Sequence, residues 1–144
     1  MTSLQHHSDS PLKLESYQFL NFQCRASRDE NADGALQLQT KREVYFSDEN
    51  PRQAHVVLTI TFCPADADND TTYQGEITVS GLFQIIEDFA EDKREALIRV
   101  TACSILYGAA RELLANFTAR SVHGVLSLPS ISFRNTQQQE SPAQ

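Results

Sequence analysis

The sequence predicts an α+β domain: a four-stranded antiparallel sheet, connected as a meander, followed by one long helix. Three observations predict it. Apolar and polar residues alternate with a period of two from Leu12 to Ser80. Polar, turn-forming clusters break that alternation three times. After Asp88 the apolar residues recur at three and four instead, over a stretch to Arg120 that contains no proline.

The first strand runs near Leu12–Arg25, with Leu12, Leu14, Leu20, Phe22 and Cys24 on one parity and Tyr17 and Phe19 on the other. A period of two places these on opposite faces, so the strand is expected to be apolar on both sides in its middle. Ser27 to Gly34 is loop chemistry. The second strand, about Ala35–Phe46, alternates Leu36, Leu38, Val44 and Phe46 with Gln37, Gln39, Lys41 and Glu43, and turns that polar face to water. Ser47 to Pro51 marks the next break. Val56, Leu58, Ile60 and Phe62 then alternate with Val57, Thr59, Thr61 and Cys63 in the clearest strand of the chain. Pro64 to Asp70 is the third turn. The fourth strand, Thr72–Phe83, sets Tyr73, Ile77, Val79 and Phe83 against Gln74, Glu76, Thr78 and Ser80. Short links favour pairing of consecutive strands.

The helix is expected over Asp88–Arg120, with Leu97, Ile98, Ala102, Ile105, Leu106, Ala109, Ala110, Leu113, Leu114 and Phe117 as its apolar positions. Acidic residues crowd its start and Arg120 its end, both favourable to the helix dipole, and Gly108 is a place for a kink. After it, Val125, Leu126, Leu128, Ile131 and Phe133 alternate with small or polar residues around Pro129. That pattern suits an extended segment packed over the helix or lining a groove. The division expected is a disordered leader at 1–11, one domain at 12–133 and a disordered, glutamine-rich tail at 134–144.

Composition excludes several function classes. The 144 residues fit one domain, and no apolar run approaches the roughly 20 residues that span a bilayer. A formal net charge of -7 with no run of basic residues argues against a nucleic-acid partner. Cys24, Cys63 and Cys103 show no C-x-x-C spacing, which predicts neither a disulfide lattice nor a thiolate zinc site and suits a reducing cytoplasm.

No constellation for catalysis stands out. Asp66-Ala-Asp68-Asn-Asp70 has the first three positions of a calcium loop, but Thr71 and Ile77 stand where the sharp glycine turn and the bidentate glutamate belong, so a solvated turn is the better reading. Cys103 and His123 could be imagined as a thiol and its base; a buried, inert cysteine is the simpler account. His6, His7, His55 and His123 give no metal spacing, so neither a metal nor a cofactor is expected. What remains is apolar surface. A sheet with a single helix covers one face only, so a first strand apolar on both faces implies a sister subunit or another chain, and Val125–Phe133 is a natural groove wall for unfolded polypeptide.

Several segments resemble the SecB family of export chaperones. Glu76-Ile-Thr-Val-Ser-Gly81-Leu82-Phe83 looks like that family's end of the fourth strand. Ile105-Leu106-Tyr107-Gly108-Ala109-Ala110-Arg111-Glu112 looks like its helix signature, and Arg120 through Leu126-Ser-Leu128-Pro129 to Phe133 continues in register; Val56-Val57-Leu58 fits its third strand. The resemblance covers about residues 12–133, strongly after Gly75. It implies a cytoplasmic homotetramer, a dimer of dimers, whose grooves bind non-native polypeptides and preproteins without nucleotide and deliver them to the SecA motor. Carried over position by position, it implies that Val44, Phe46, Val125, Leu126 and Phe133 line the peptide groove and that Glu76 docks SecA.

The departures are as informative. The family's acidic docking positions on the first strand fall on Phe19 and Gln23, and its Leu-x-Glu on the fourth is Gln74-Gly-Glu76, so only Glu76 survives. Gly108 replaces the signature proline of the helix, and the segment after Phe133 lacks the apolar residues of the family's second helix. These changes suit a relative with a narrower client, such as those that guard an antitoxin. The alternatives are a hotdog-type acyl-thioester enzyme, which shares strands wrapped around one helix, and a non-catalytic oligomeric scaffold.

Overall fold

The computed structural model describes residues 10–134. It contains strands β1 (Leu12–Ala26), β2 (Leu36–Phe46), β3 (Gln53–Pro64) and β4 (Tyr73–Ile85). A helical run comes next, made of a 3-10 turn (Glu91–Lys93), helix α1 (Arg94–Leu97), a π turn (Ile98–Ala102) and helix α2 (Cys103–Thr118). Of the expected leader and tail, only Ser10, Pro11 and Arg134 fall among the described residues. Ser10 and Pro11 are tied to the fold: the Leu12 amide donates to the Ser10 hydroxyl and the Ile86 amide to the Pro11 carbonyl.

All four strands are antiparallel, and their order is β1-β4-β3-β2. The expected meander holds for β2, β3 and β4. β1 departs from it: instead of flanking β2 it lies beside β4, with Leu12 opposite Ile85 and Ala26 opposite Tyr73, which makes the sheet a Greek key. The reason lies in the nine residues between β1 and β2, a length that easily spans the roughly 14 Å of three inter-strand gaps. This loop crosses the ends of β4 and β3 and is fastened to them. The Ser27 amide donates to the Thr72 carbonyl, the Gly34 amide to that of Asp70, and the Ala65 amide to that of Ala35. At Gly34 a Cβ would sit 2.3 Å from the Asn69 carbonyl oxygen, so glycine is what lets the crossing chain lie so close.

β1 corrects a second expectation. Its pairing with β4 slips between Leu14 and Ser16 and again between Phe19 and Asn21, leaving Glu15 and Leu20 as extra residues. Each bulge reverses the parity of the residues beyond it. Leu14 lies opposite Phe83, Tyr17 opposite Gly81, Phe19 opposite Val79 and Phe22 opposite Ile77, all on the side that faces the helix. The strand is therefore apolar on one side, not two. Leu20, in the second bulge, is left 56% exposed, and Tyr17, at the margin of the helix side, 46%.

The core lies between the sheet and the helix. Val56, Leu58, Ile60 and Phe62 of β3 and Ile77, Val79 and Phe83 of β4 are fully buried beneath Ile98, Ala102, Leu106, Ala110 and Leu114. Gly81 leaves room for this packing, since a Cβ there would lie 2.9 Å from the Leu106 side chain. The helical run ends at Thr118, two residues before Arg120, and its inward face is shifted from the one expected. Cys103, Tyr107 and Thr118 point inward, whereas Phe117 is 46% exposed. Gly108 produces no kink, because it lies exposed inside regular α2. The irregularity is the π turn, where the Cys103 amide bonds to the Val100 carbonyl and the Arg99 carbonyl accepts the Arg42 guanidinium at 2.9 Å.

Two glycines should respond to alanine with opposite signs. A Cβ at Gly75 would lie 1.9 Å from the Gln23 carbonyl oxygen of β1, so Gly75→Ala is expected to destabilise by roughly 1–3 kcal/mol as the strand is pushed outward. A Cβ at Gly108 meets nothing within 4 Å, so Gly108→Ala is expected to stabilise by about 0.5–1 kcal/mol. Urea unfolding of both variants checks the pair.

Candidate functional site

Residues 119–124 turn the chain back at the end of α2. Gly124, at φ 79, adopts the left-handed conformation that the reversal requires. The turn is pinned by β4, whose Tyr73 hydroxyl donates to the Gly124 carbonyl at 2.7 Å and accepts from the His123 amide at 3.1 Å. The His123 ring reaches the Ser27 carbonyl at 2.8 Å, which places the proton on Nε2, and packs edge-on against Tyr73.

From there residues 125–133 run without regular structure back along the helix, forming a strap. At the C-terminal end of α2 the Leu126 amide donates to Thr118 Oγ1 at 2.8 Å, and that hydroxyl in turn donates to the Leu114 carbonyl at 2.7 Å. Midway, the Tyr107 hydroxyl donates to the Pro129 carbonyl at 2.5 Å. Burial pushes the Tyr107 hydroxyl pKa up, and Arg111, 5.9 Å over the ring, draws it partly back, so the group stays a donor. At the far end Arg42 Nη1 donates to the Phe133 carbonyl at 3.1 Å as well as to that of Arg99. Phe133 fills the space between Tyr107, with ring centroids 5.9 Å apart, and the Arg42 guanidinium, 5.7 Å from its centroid.

The groove residues expected from the sequence divide in two. Val44 and Phe133 are 7% and 2% exposed and belong to the core, so neither is open to a ligand in this structure. Leu126 is half-buried against the core, and Val125 and Phe46 are 60% and 38% exposed. Val125 and Leu126 lie at the C-terminal end of α2, while Phe46 closes β2 beyond Val44, so the five do not form one continuous open surface. The residues that hold the strap, Arg42, Tyr73, Tyr107 and Thr118, were not among those expected. One of them carried a signal. Arg42 stands on the inward parity of β2, between Leu38 and Val44, where the alternation calls for an apolar residue.

The opposite face of the sheet is mostly polar, with half-buried Val57 and Leu82 beside Ser80 and His55. Thr59 and Thr78 approach at 3.3 Å, His55 Nε2 meets the Ser80 hydroxyl at 2.7 Å, and the exposed Tyr45 ring stacks on His55. Glu76 lies here, half-buried, accepting from Asn21 Nδ2 at 3.0 Å, while Gln23 donates to Asn21 at 3.2 Å. The expected neighbour Phe19 is on the other face, moved there by the bulge, and Asn21 stands in its place. Tyr17, Leu20 and Phe117 remain exposed along the β1 edge, with Phe117 in edge contact with Phe22 at 5.2 Å.

Cys103 and His123 lie on opposite ends of α2, about 24 Å apart along a 16-residue helix, and do not form a dyad. The aspartates of 66–70 serve their own turn: Asp66 accepts from the Asp68 amide and from Asn69, and Asp70 from the Ser27 hydroxyl. Burial pushes the Cys24 thiol pKa up, away from a reactive thiolate. Among the described residues no helix is long and apolar enough to cross a membrane, and no cluster of His, Cys, Asp and Glu could hold a metal ion.

Comparison with known proteins gives one family match and a likeness of fold. The family described as SecB, preprotein translocase subunit SecB, matches residues 17–144. No curated protein matches by sequence. Among solved structures, the SecB-like chaperone Rv1957 of Mycobacterium tuberculosis, in complex with a ChAD peptide from the Rv1956 HigA1 antitoxin, is 16% identical. The match covers 85% of this chain and 91% of that one, with a TM-score of 0.65, and at this identity the likeness is one of fold. A protein of unknown function from Streptococcus agalactiae is 14% identical over 83% of this chain and 97% of its own, with a TM-score of 0.45.

If Arg42 is what joins strap, π turn and sheet, Arg42→Leu should lower stability by about 2–4 kcal/mol, because one buried and one part-buried carbonyl lose a charged donor. Arg42→Lys should recover part of that loss. Urea unfolding reads both, and equal stability of Arg42→Leu and the parent would remove Arg42 from this role.

Proposed function

The chain belongs to the SecB family, and from that premise we propose that it is a nucleotide-independent cytoplasmic chaperone that holds non-native polypeptide, working as a homo-oligomer, a dimer of dimers. The observation that carries this reading is the helix side of the molecule. An extended segment, residues 125–133, is accommodated there by apolar packing and side-chain hydrogen bonds, while its own Val125 and, on β2, Phe46 stay exposed. Weak apolar contacts of this kind, summed along an extended client, give affinity without strict sequence specificity. The exposed Tyr17, Leu20 and Phe117 along the β1 edge support oligomerisation, in place of the second apolar sheet face that the bulges remove.

The client is either an exported preprotein or a dedicated protein such as an antitoxin, and the surroundings of Glu76 favour the second. Amides stand beside this carboxylate at Asn21, Gln23 and Gln74, so the basic tail of SecA would meet one negative charge, worth about 0.2–1 kcal/mol when exposed. The antitoxin peptide bound by Rv1957 of similar fold agrees with a dedicated client. A hotdog-type enzyme finds less support. It needs a carboxylate or histidine facing an acyl tunnel, whereas His55 and His123 are engaged with Ser80 and the Ser27 carbonyl and Glu112 is exposed.

Two measurements test the reading. Phe46→Asp and Val125→Asp should each weaken binding of a denatured client by about 1–3 kcal/mol with an unchanged unfolding midpoint and oligomer mass, because a carboxylate resists desolvation. Unimpaired suppression of client aggregation by both variants would place the client elsewhere. Calorimetry with the SecA tail should give no heat of binding to the parent chain, and Asn21→Asp with Gln23→Glu should create it; micromolar binding by the parent would reject the dedicated-client reading.

A further inference from the structure

We infer that the strap is an internal stand-in for the client, seated in the cleft that an extended polypeptide takes when the strap is displaced. This deepens the chaperone reading and rests on it. The strap's main chain is held by side chains and not by a neighbouring strand: Tyr73 binds the Gly124 carbonyl, Tyr107 that of Pro129, Arg42 that of Phe133, and Thr118 accepts the Leu126 amide. Such contacts read a backbone, which every polypeptide offers in the same form. Its apolar side chains sink inward at Leu126, Leu128, Ile131 and Phe133, with Leu128 1% and Phe133 2% exposed. Pro129, which lacks an amide hydrogen, interrupts the alternation and presents its carbonyl to Tyr107.

The arrangement specifies the client. An extended segment with apolar side chains at its first, third, sixth and eighth positions reproduces what it displaces. The eighth is aromatic, because that site lies between the Tyr107 ring and the Arg42 guanidinium. Gly124 supplies the hinge: it is the point of backbone reversal, and a Cβ there would meet nothing within 4 Å. Client affinity is then the intrinsic affinity of the cleft reduced by the fraction of chains whose strap is open.

The test loosens the strap without removing the cleft. Leu126→Ala and Ile131→Ala, made in the strap itself, trim half-buried side chains that seat it and leave Arg42, Tyr73, Tyr107 and Thr118 of the cleft unaltered. Amide hydrogen exchange over 124–133 is followed in the full chain, together with fluorescence anisotropy of a labelled peptide of the chain's own residues 124–134 and of the same peptide carrying Phe133→Ala. Expected are faster exchange in the strap and about fivefold tighter binding of the unaltered peptide by each variant, the population change that part of one half-buried side chain controls. The Phe133→Ala peptide should bind more weakly throughout. Faster exchange with unchanged or weaker peptide binding would make the strap a fixed wall and overturn the inference, as would unchanged exchange in both variants. Suppression of aggregation of a denatured client by the parent chain, measured in parallel, separates the two levels: its absence overturns the chaperone reading itself, and its presence confines the failure to the strap.

Discussion

The Arg42 guanidinium is the constraint on which the arrangement of the helix side depends. Removing a cation of this size from water costs several kcal/mol unless its hydrogen-bonding demand is met in place. β2 carries the residue inward, 1% exposed, and part of that demand is met by two main-chain carbonyls from different parts of the chain, Arg99 in the π turn and Phe133 at the end of the strap, both accepting from Nη1. Helix, strap and sheet are thereby set against one another at one point. The π turn becomes intelligible on these terms. A regular helix would offer the Arg99 carbonyl to the Cys103 amide, whereas here that amide turns to Val100 and the carbonyl faces the guanidinium.

The bulges of β1 do comparable work for the sheet. By adding Glu15 and Leu20 they bring Leu14, Tyr17, Phe19 and Phe22 to one side and leave the other to Thr59, Thr78, Ser80 and Glu76. The molecule thus separates an apolar side, packed under the helix and strap, from a hydroxyl- and amide-rich side that includes the half-buried carboxylates of Glu43 and Glu76. These two sides have different chemistry available to them.

How much was legible in the sequence depends on how local each signal is. β3 stands where its alternation puts it, and the helical run where the period changes, because both report burial of one face by residues a few positions apart. The family resemblance also rested on the fourth strand and the helix, the segments that build the core. The bulges were not legible: an extra residue has no composition of its own, and two of them turn a strand of one apolar face into what reads as a strand of two. The place of β1 beside β4 was hidden for a different reason, since the loop that crosses between Ala26 and Leu36 has the same polar residues as a hairpin. At the site, Val125 and Phe46 lie on the surface as a groove lining requires, but Val44 and Phe133 do not. The inward arginine that separates these cases stood in plain view on β2, its meaning dependent on two carbonyls far along the chain.

The crossing of β1 to β4 also bears on how the chain is made. A ribosome delivers β1 first, yet its strand partner is β4, roughly fifty to seventy residues downstream, which at about 5–20 residues per second takes several seconds to emerge. During that interval Tyr17, Phe19, Leu20 and Phe22 form an aromatic and aliphatic stretch with no mate, while β2, β3 and β4 can pair among themselves as each appears. The nascent chain therefore passes through a stage in which it is itself a non-native polypeptide with an exposed apolar strand, the kind of substrate its finished form is proposed to protect.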